Sequence, residues 1–155
     1  MAETYNRQGG IPSLEDIQSA TMRVLVGTRA ATKGGLTIGS ASAKKLKIAS
    51  TVEYSIGGVA YKVTTGEVAF TDVTVQPISS TRYYVLAYNA AGTGKIFNGT
   101  TANDLPTIPA THCPVGYAKL VTDATGTFVP ATDDLSDAAV TATFADITVL
   151  PLVLI

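Results

Sequence analysis

The sequence predicts a mainly β protein: a β-sandwich or barrel-like domain preceded by an N-terminal arm and one short helix. Three observations carry this. From Lys47 onward apolar residues recur at every second position, the spacing that places alternate side chains on one face of a strand. Two such runs, "IASTVEYSI" and "VAYKV", are separated only by Gly57 and Gly58, a pair that a two-residue primed turn accepts without steric cost. Charged residues make up 15% of the chain and apolar ones 46%, so much of the surface must be neutral. Threonine in "TDVTV" and "TATF" suits such a surface, because a β-branched hydroxyl fills an exposed pleat without charge.

Residues 1 to 12 end in the breaker cluster "QGGIP" and read as an arm. Ser13 offers an N-cap with Asp16 three places on, and Leu14, Ile17, Val24 and Leu25 approximate one helical face. This spacing predicts a helix over roughly 14 to 28. The glycines of "ATKGGLTIGSAS" stop the helix near Thr32 and start a linker or short extended piece. The chain is therefore expected to divide into arm, helix and glycine-rich linker (1–46) and a β-rich domain (47–155).

After the hairpin, "EVAF" and "TDVTVQPI" read as extended, with Pro77 at an edge or an exit. "TRYYVLAYN" is apolar on both alternating faces, which predicts a strand covered on two sides. "LPTIPATHCPVGYAKLVT" spaces prolines at 106, 109 and 114, favouring an extended crossing before another β run. The closing stretch offers a short strand around "TGTFVPAT" and an acidic turn. Its alternation at Val140, Ala142 and Phe144 then changes phase before Ile147 and Val149, which asks for a bulge or bend near Ala145.

Composition argues against several functions. Eleven basic and twelve acidic side chains leave a formal charge of -1, with no basic stripe for nucleic acid. The longest apolar run, Val149 to Ile155, is far short of the ~20 residues a spanning helix needs, so no membrane partner is expected. The N-terminus has no basic segment followed by an apolar core, and the single Cys113 precludes an intrachain disulfide; both fit assembly in a reducing cytoplasm.

The chemical motifs are incomplete. "NAAGTGKIFNGT" contains Gly-Thr-Gly-Lys95, but a phosphate loop needs a glycine where Asn89 stands and a hydroxyl where Ile96 stands. A turn between two β runs is expected instead. His112 and Cys113 are the only residues of their kinds and cannot supply four zinc ligands. As neighbours on an extended strand they point to opposite faces and make a poor nucleophile pair, which leaves only a symmetry-axis metal built from several copies of His112. Asp133, Asp134 and Asp137 lack the order of a calcium loop and read as a solvated capping turn. "NGT" at 98 matches a glycosylation acceptor formally, but no secretory signal accompanies it. Lys44, Lys45 and Lys47 of "AKKLK" read as edge protection on a strand. No catalytic residue, cofactor or metal site is expected.

The C-terminus carries the candidate interaction residues. Val149, Leu150, Leu152, Val153, Leu154 and Ile155 form an apolar segment that must be covered, either by its own domain or by a neighbouring subunit or shell.

The hairpin pattern of "VEYSIGGVAY", the aromatic strand ending in "AAGT", and the path from "LPTIPATHCPVGY" to "FVPATDDL" together resemble small virion proteins of tailed bacteriophages, of the head-decoration, cement or head-fibre type. The resemblance covers roughly residues 45 to 135 and consists of glycines, prolines and β-formers. It implies a non-enzymatic β module, commonly a homotrimer, on the capsid surface of the virion, where it binds the major capsid protein of an assembled shell. A tail, collar or fibre component contacting a receptor or other tail proteins is the alternative it leaves.

Overall fold

The computed structural model describes residues 27–40, 42–100 and 104–148. Among these the chain is mainly β, with ten strands in three antiparallel sheets and no helix. The strands are β1 (Arg29–Ala30), β2 (Leu36–Ile38), β3 (Lys45–Ile48), β4 (Val52–Ile56), β5 (Val59–Val63), β6 (Gly66–Ala69), β7 (Thr81–Asn89), β8 (Gly94–Asn98), β9 (His112–Thr122) and β10 (Val140–Asp146). Their order is β10-β9-β7-β8 in the largest sheet, β2-β3-β6 in the second and β1-β4-β5 in the third.

The inward faces of the first two sheets contribute to one core. Leu46 and Ile48 point in from β3, Tyr84, Leu86 and Tyr88 from β7, and Ala118 and Leu120 from β9. Phe70, Tyr84 and Phe128 meet edge to face at its centre, with centroids 5.3 to 6.3 Å apart, a geometry that matches positive ring edges to negative faces. The two sheets also approach at their margins. The Leu36 amide of β2 donates to an Asp146 carboxylate oxygen of β10 at 3.1 Å. On the other margin, a side chain at Gly94 of β8 would collide with Val68 of β6. The third sheet is fastened to the end of β7, where the Tyr54 hydroxyl donates to the Asn89 carbonyl at 2.7 Å.

The predicted hairpin is present as β4 and β5, with Ile56 opposite Val59. Gly57 (φ 56°) and Gly58 (φ 86°) are both left-handed, as a type I′ turn requires. β7 is buried on both faces. Its outward Val85 and Ala87 are 2% and 0% exposed yet lie outside the main core, on the side where Asp104 and Leu105 adjoin Tyr83 and Tyr117. On the neighbouring strands Phe97 and Tyr117 stand opposite Val85, and the described part of the proline-spaced connection from β8 to β9 begins on this side at Asp104 and Leu105.

Other expectations change. The arm and nearly all of the helix over 14 to 28 lie outside the described residues. Near Thr32, where that helix was expected to stop, the chain has just left strand β1. The boundary drawn at 46/47 runs through β3, and the glycine-rich stretch before it packs tightly. A Cβ at Gly34 would stand 2.8 Å from a Val52 methyl and 3.0 Å from one of Ile48. β3 is the middle strand of its sheet, so its lysines do not guard an edge; Lys45 pairs with Glu67 at 3.9 Å and Lys47 donates to Ser40. No bulge interrupts β10, whose register runs straight to Asp146 opposite Gly116. The irregularity is in β9, where Leu86 faces Gly116 but Ala87 faces Pro114, leaving Val115 as the extra residue. Pro114 fits there because β10 no longer pairs with that part of β9.

Truncating Phe128 to alanine removes the ring at the centre of this core and should cost about 3–5 kcal/mol. Val73→Ala, at an exposed position, should stay within about 0.5 kcal/mol of the parent. Urea unfolding of the two variants checks this, and comparable losses would place Phe128 outside the cooperative core.

Candidate docking site at one end of the domain

At the end of the domain away from the third sheet, residues 71–80 run beside residues 123–131. The stretch "TDVTVQPI" does not form the extended element expected of it; only Gln76 pairs, in an isolated bridge with Phe128. The reason is a buried charge. Arg82 points inward from β7 and is 5% exposed, and its Nη atoms donate to the carbonyls of Thr74 (3.1 Å) and Val75 (3.4 Å). Consecutive carbonyls of a strand point to opposite sides, so a segment that turns two in succession toward one guanidinium cannot also be a ladder.

Gln76 anchors the middle of the loop. Its side chain is fully buried, its Nε2 donates to the carbonyls of Ser80 (3.1 Å) and Leu120 (3.0 Å), and its Oε1 accepts from the Tyr84 hydroxyl (3.1 Å). Its backbone exchanges two bonds with Phe128, of 2.7 and 3.0 Å. Asp72 holds the start of the loop, accepting from the Thr74 backbone amide and hydroxyl through one oxygen and from the Asn98 side-chain Nδ2 through the other. At the far end the Thr122 hydroxyl donates to the Pro77 carbonyl and the Ser79 amide to the Asp123 carbonyl.

A loop fastened this thoroughly nevertheless exposes Val73 (68%), Val75 (50%) and Ile78 (49%). Leu105 and Val59 are as exposed elsewhere, and single exposed aliphatics are ordinary; what sets this loop apart is three such side chains within six residues of one hydrogen-bonded segment. Sequence reasoning missed these residues because it took "TDVTV" as one more alternating strand. The available signal was Asp72 two places before Thr74, a pairing that favours a side-chain-capped turn.

The residues singled out from sequence have other surroundings. Lys95 is exposed beside the Phe97 ring, 5.2 Å from its centroid. The loop before it is a hairpin turn in which the Asn89 carboxamide oxygen accepts from the amides of Ala91 and Thr93. The β9 bulge turns Cys113 inward and His112 outward, where the imidazole meets Phe97 edge to face at 5.3 Å. Burial pushes the Cys113 thiol up to about 11. Asp133 caps the Val129 amide at 2.7 Å and Asp137 that of Ala139 at 3.0 Å, consistent with a capping turn. Among the described residues no three His, Cys, Asp or Glu side chains are grouped as a metal site. Asn98 of the "NGT" motif is half-buried and bonded to Asp72. Val149, Leu150, Leu152, Val153, Leu154 and Ile155 lie outside the described residues.

An open cleft of about 500 Å³ on the third sheet is lined by Arg29, Glu53, Tyr54, Ser55, Tyr61 and Lys62 among others. The hydroxyls of its two buried residues are both committed, that of Ser55 to the Gly27 carbonyl and that of Tyr54 to the Asn89 carbonyl. In comparisons with known proteins, the chain matches no family model, no curated protein and no solved structure.

Two outcomes are expected. Replacing Arg82 with methionine leaves the Thr74 and Val75 carbonyls without their donor, at a cost of about 1–3 kcal/mol. The loss should appear as faster hydrogen exchange at the Gln76 and Phe128 amides; unchanged exchange there would show that Arg82 does not hold the loop. The second concerns alkali. Burial raises Tyr84 and Tyr88 to about 12, with Arg82 partly offsetting the effect at Tyr84, and raises Cys113 to about 11. Folding thus favours the protonated forms. Their stabilisation is complete below the ordinary values of 9.0 for the thiol and 10.0 for the phenols, and is lost as pH rises through about 11 and 12. The urea midpoint should fall above those ordinary values, and Cys113→Ala should remove the earlier part of the fall; a flat profile would refute this.

Proposed function

We propose that this chain is a structural protein of a tailed-bacteriophage virion, a cement or decoration protein that binds the major capsid protein of the assembled shell. In this reading it acts by binding rather than by catalysis, as a sandwich-like module closing toward a barrel, and it works as a homo-oligomer, with a trimer favoured. The observation that carries the reading is the exposed aliphatic set Val73, Val75 and Ile78 on a loop held by buried polar groups. The resemblance of residues 45 to 135 to phage head proteins supports it, as does a surface poor in charge.

The mechanism is thermodynamic. A protein that binds the finished shell but not free subunits stabilises the shell by mass action. Burying one valine or isoleucine contributes roughly 1.5–3 kcal/mol, which is modest singly and large when many linked copies engage a lattice at once. The apolar segment 149–155 is the second proposed contact.

Undecorated mature shells of the same virus, incubated with the protein, should bind it across the lattice and resist heat to a higher temperature. Removing residues 149–155 should lower occupancy; unchanged occupancy and heat resistance would eliminate that segment as a contact. Binding confined to one vertex or to tails would favour the tail or collar role, and absence of binding to any particle would reject a virion function.

A further inference from the structure

We infer that the docking end recognises a protein surface that is aliphatic at its centre and edged by lysine or arginine. The inference deepens the proposed function and rests on it, naming the partner's chemistry at that site. Residues 71–80 and 123–139 contain five aspartates, Asp72, Asp123, Asp133, Asp134 and Asp137, and no lysine, arginine or histidine. In a chain whose formal charge is only -1, this is a concentration of negative charge at one end, balanced elsewhere.

Backbone hydrogen bonds hold the two loops side by side, so the aspartates and the exposed aliphatic residues share one end of the domain. The Ser79 amide donates to the Asp123 carbonyl at 2.7 Å, which places Asp123 beside Ile78. The Ala131 amide donates to the Asp72 carbonyl at 3.0 Å, which brings the segment bearing Asp133 and Asp134 alongside Asp72 and Val73. Arg82 also reaches these loops but is buried and committed to the Thr74 and Val75 carbonyls, so it offers little charge to an approaching surface. Lys44 lies next to both loops, its carbonyl accepting from the Phe70 amide and the neighbouring Ala43 carbonyl from the Leu135 amide, so one half-buried lysine stands against the five carboxylates. Lys45 is paired with Glu67 and Lys47 is bonded to Ser40.

The arrangement selects one kind of occupant. Nucleic acid and anionic lipid would be repelled by the rim. A bound cation needs converging carboxylates, and among the described residues no three acidic groups converge; the carboxylates are distributed along the two loops, one of which carries the exposed aliphatic residues. A second copy of this face would set aspartates against aspartates. What fits is a partner whose aliphatic patch meets Val73, Val75 and Ile78 while its basic rim meets the carboxylates, the division into apolar core and charged edge typical of protein interfaces. In such interfaces rim charge mainly sets the association rate and its salt dependence, whereas the apolar centre sets dissociation.

The test uses the full-length protein and shells assembled from the major capsid protein of the same virus, with binding kinetics read over a salt series. Val73→Ser with Val75→Ser should speed dissociation about tenfold or more, since each 1.4 kcal/mol lost is a factor of ten. Asp123→Asn with Asp134→Asn should slow association several-fold at low salt and flatten its salt dependence, with dissociation little changed. Asparagine keeps a carbonyl oxygen for the Thr125 and Gly126 amides but not the charge they stabilise, so the aspartate variant should remain cooperatively folded with a slightly lower urea midpoint, and the valine variant should keep the parent midpoint. If the parent protein binds and the valine variant binds equally well, this face is not the contact and the shell-binding reading stands. If only the aspartate variant matches the parent at all salts, the partner's rim is not basic. If the parent protein binds no shells, both proposals fall.

Discussion

A guanidinium cannot discard its charge, so an arginine taken out of water must be supplied with oxygens. Arg82 stands at the inner mouth of the main sheet and is supplied by two consecutive backbone carbonyls, those of Thr74 and Val75. Much at that end follows from this requirement. The segment cannot be a strand, its carbonyls are drawn inward, and Val73 and Val75 remain at the surface. Gln76, with its carboxamide bonded on both atoms to Ser80, Leu120 and Tyr84, ties the same segment to the aromatic centre of the core. Rigidity and exposure, which usually oppose one another, are combined here because a buried polar layer lies directly beneath an apolar surface.

β7 links that layer to the rest of the molecule. It pairs with β8 and β9, carries Arg82 and Tyr84 at one end, and receives the Tyr54 hydroxyl at the other. β8 and β9 flank it, and Asp104 and Leu105 of the connection between them lie beside Tyr83 and Tyr117 on its outward side. The extra residue at Val115 shifts the phase of β9, so that Cys113 joins the core while His112 faces out beside Phe97. The only cysteine is thereby a packing residue with a suppressed thiolate, and the only histidine an edge contact.

Charge is distributed unevenly over this scaffold. Five of the eight aspartates lie on two segments joined by hydrogen bonds, one of which exposes Val73, Val75 and Ile78, and several also cap backbone amides. Asp123 illustrates the double role: amides of Thr125 and Gly126 and the Thr125 hydroxyl hold its carboxyl below the usual range. The same group that orders the turn thus supplies negative potential at the surface. For a decoration protein this would couple loop stability to recognition, with the surface pre-ordered before contact so that little entropy is lost on binding.

The alternation around Gly57–Gly58, the doubly apolar "TRYYVLAYN" and the proline spacing after Leu105 were sufficient to read a mainly β chain, one hairpin and one crossing, because strand period and turn sterics are properties of neighbouring residues. The degenerate phosphate loop at Asn89 and the capping role of Asp133 and Asp137 were legible for the same reason. Tertiary structure alone decided that "TDVTV" is a loop, since the residue that dictates this, Arg82, acts through backbone carbonyls that no side-chain pattern records. It also decided that Lys45 and Lys47 of "AKKLK" lie mid-sheet and that the bulge is in β9 at Val115, with none within β10. Strand order and register are set by which partner buries the most apolar surface across long sequence separations, and that competition has no signature in any local stretch of residues.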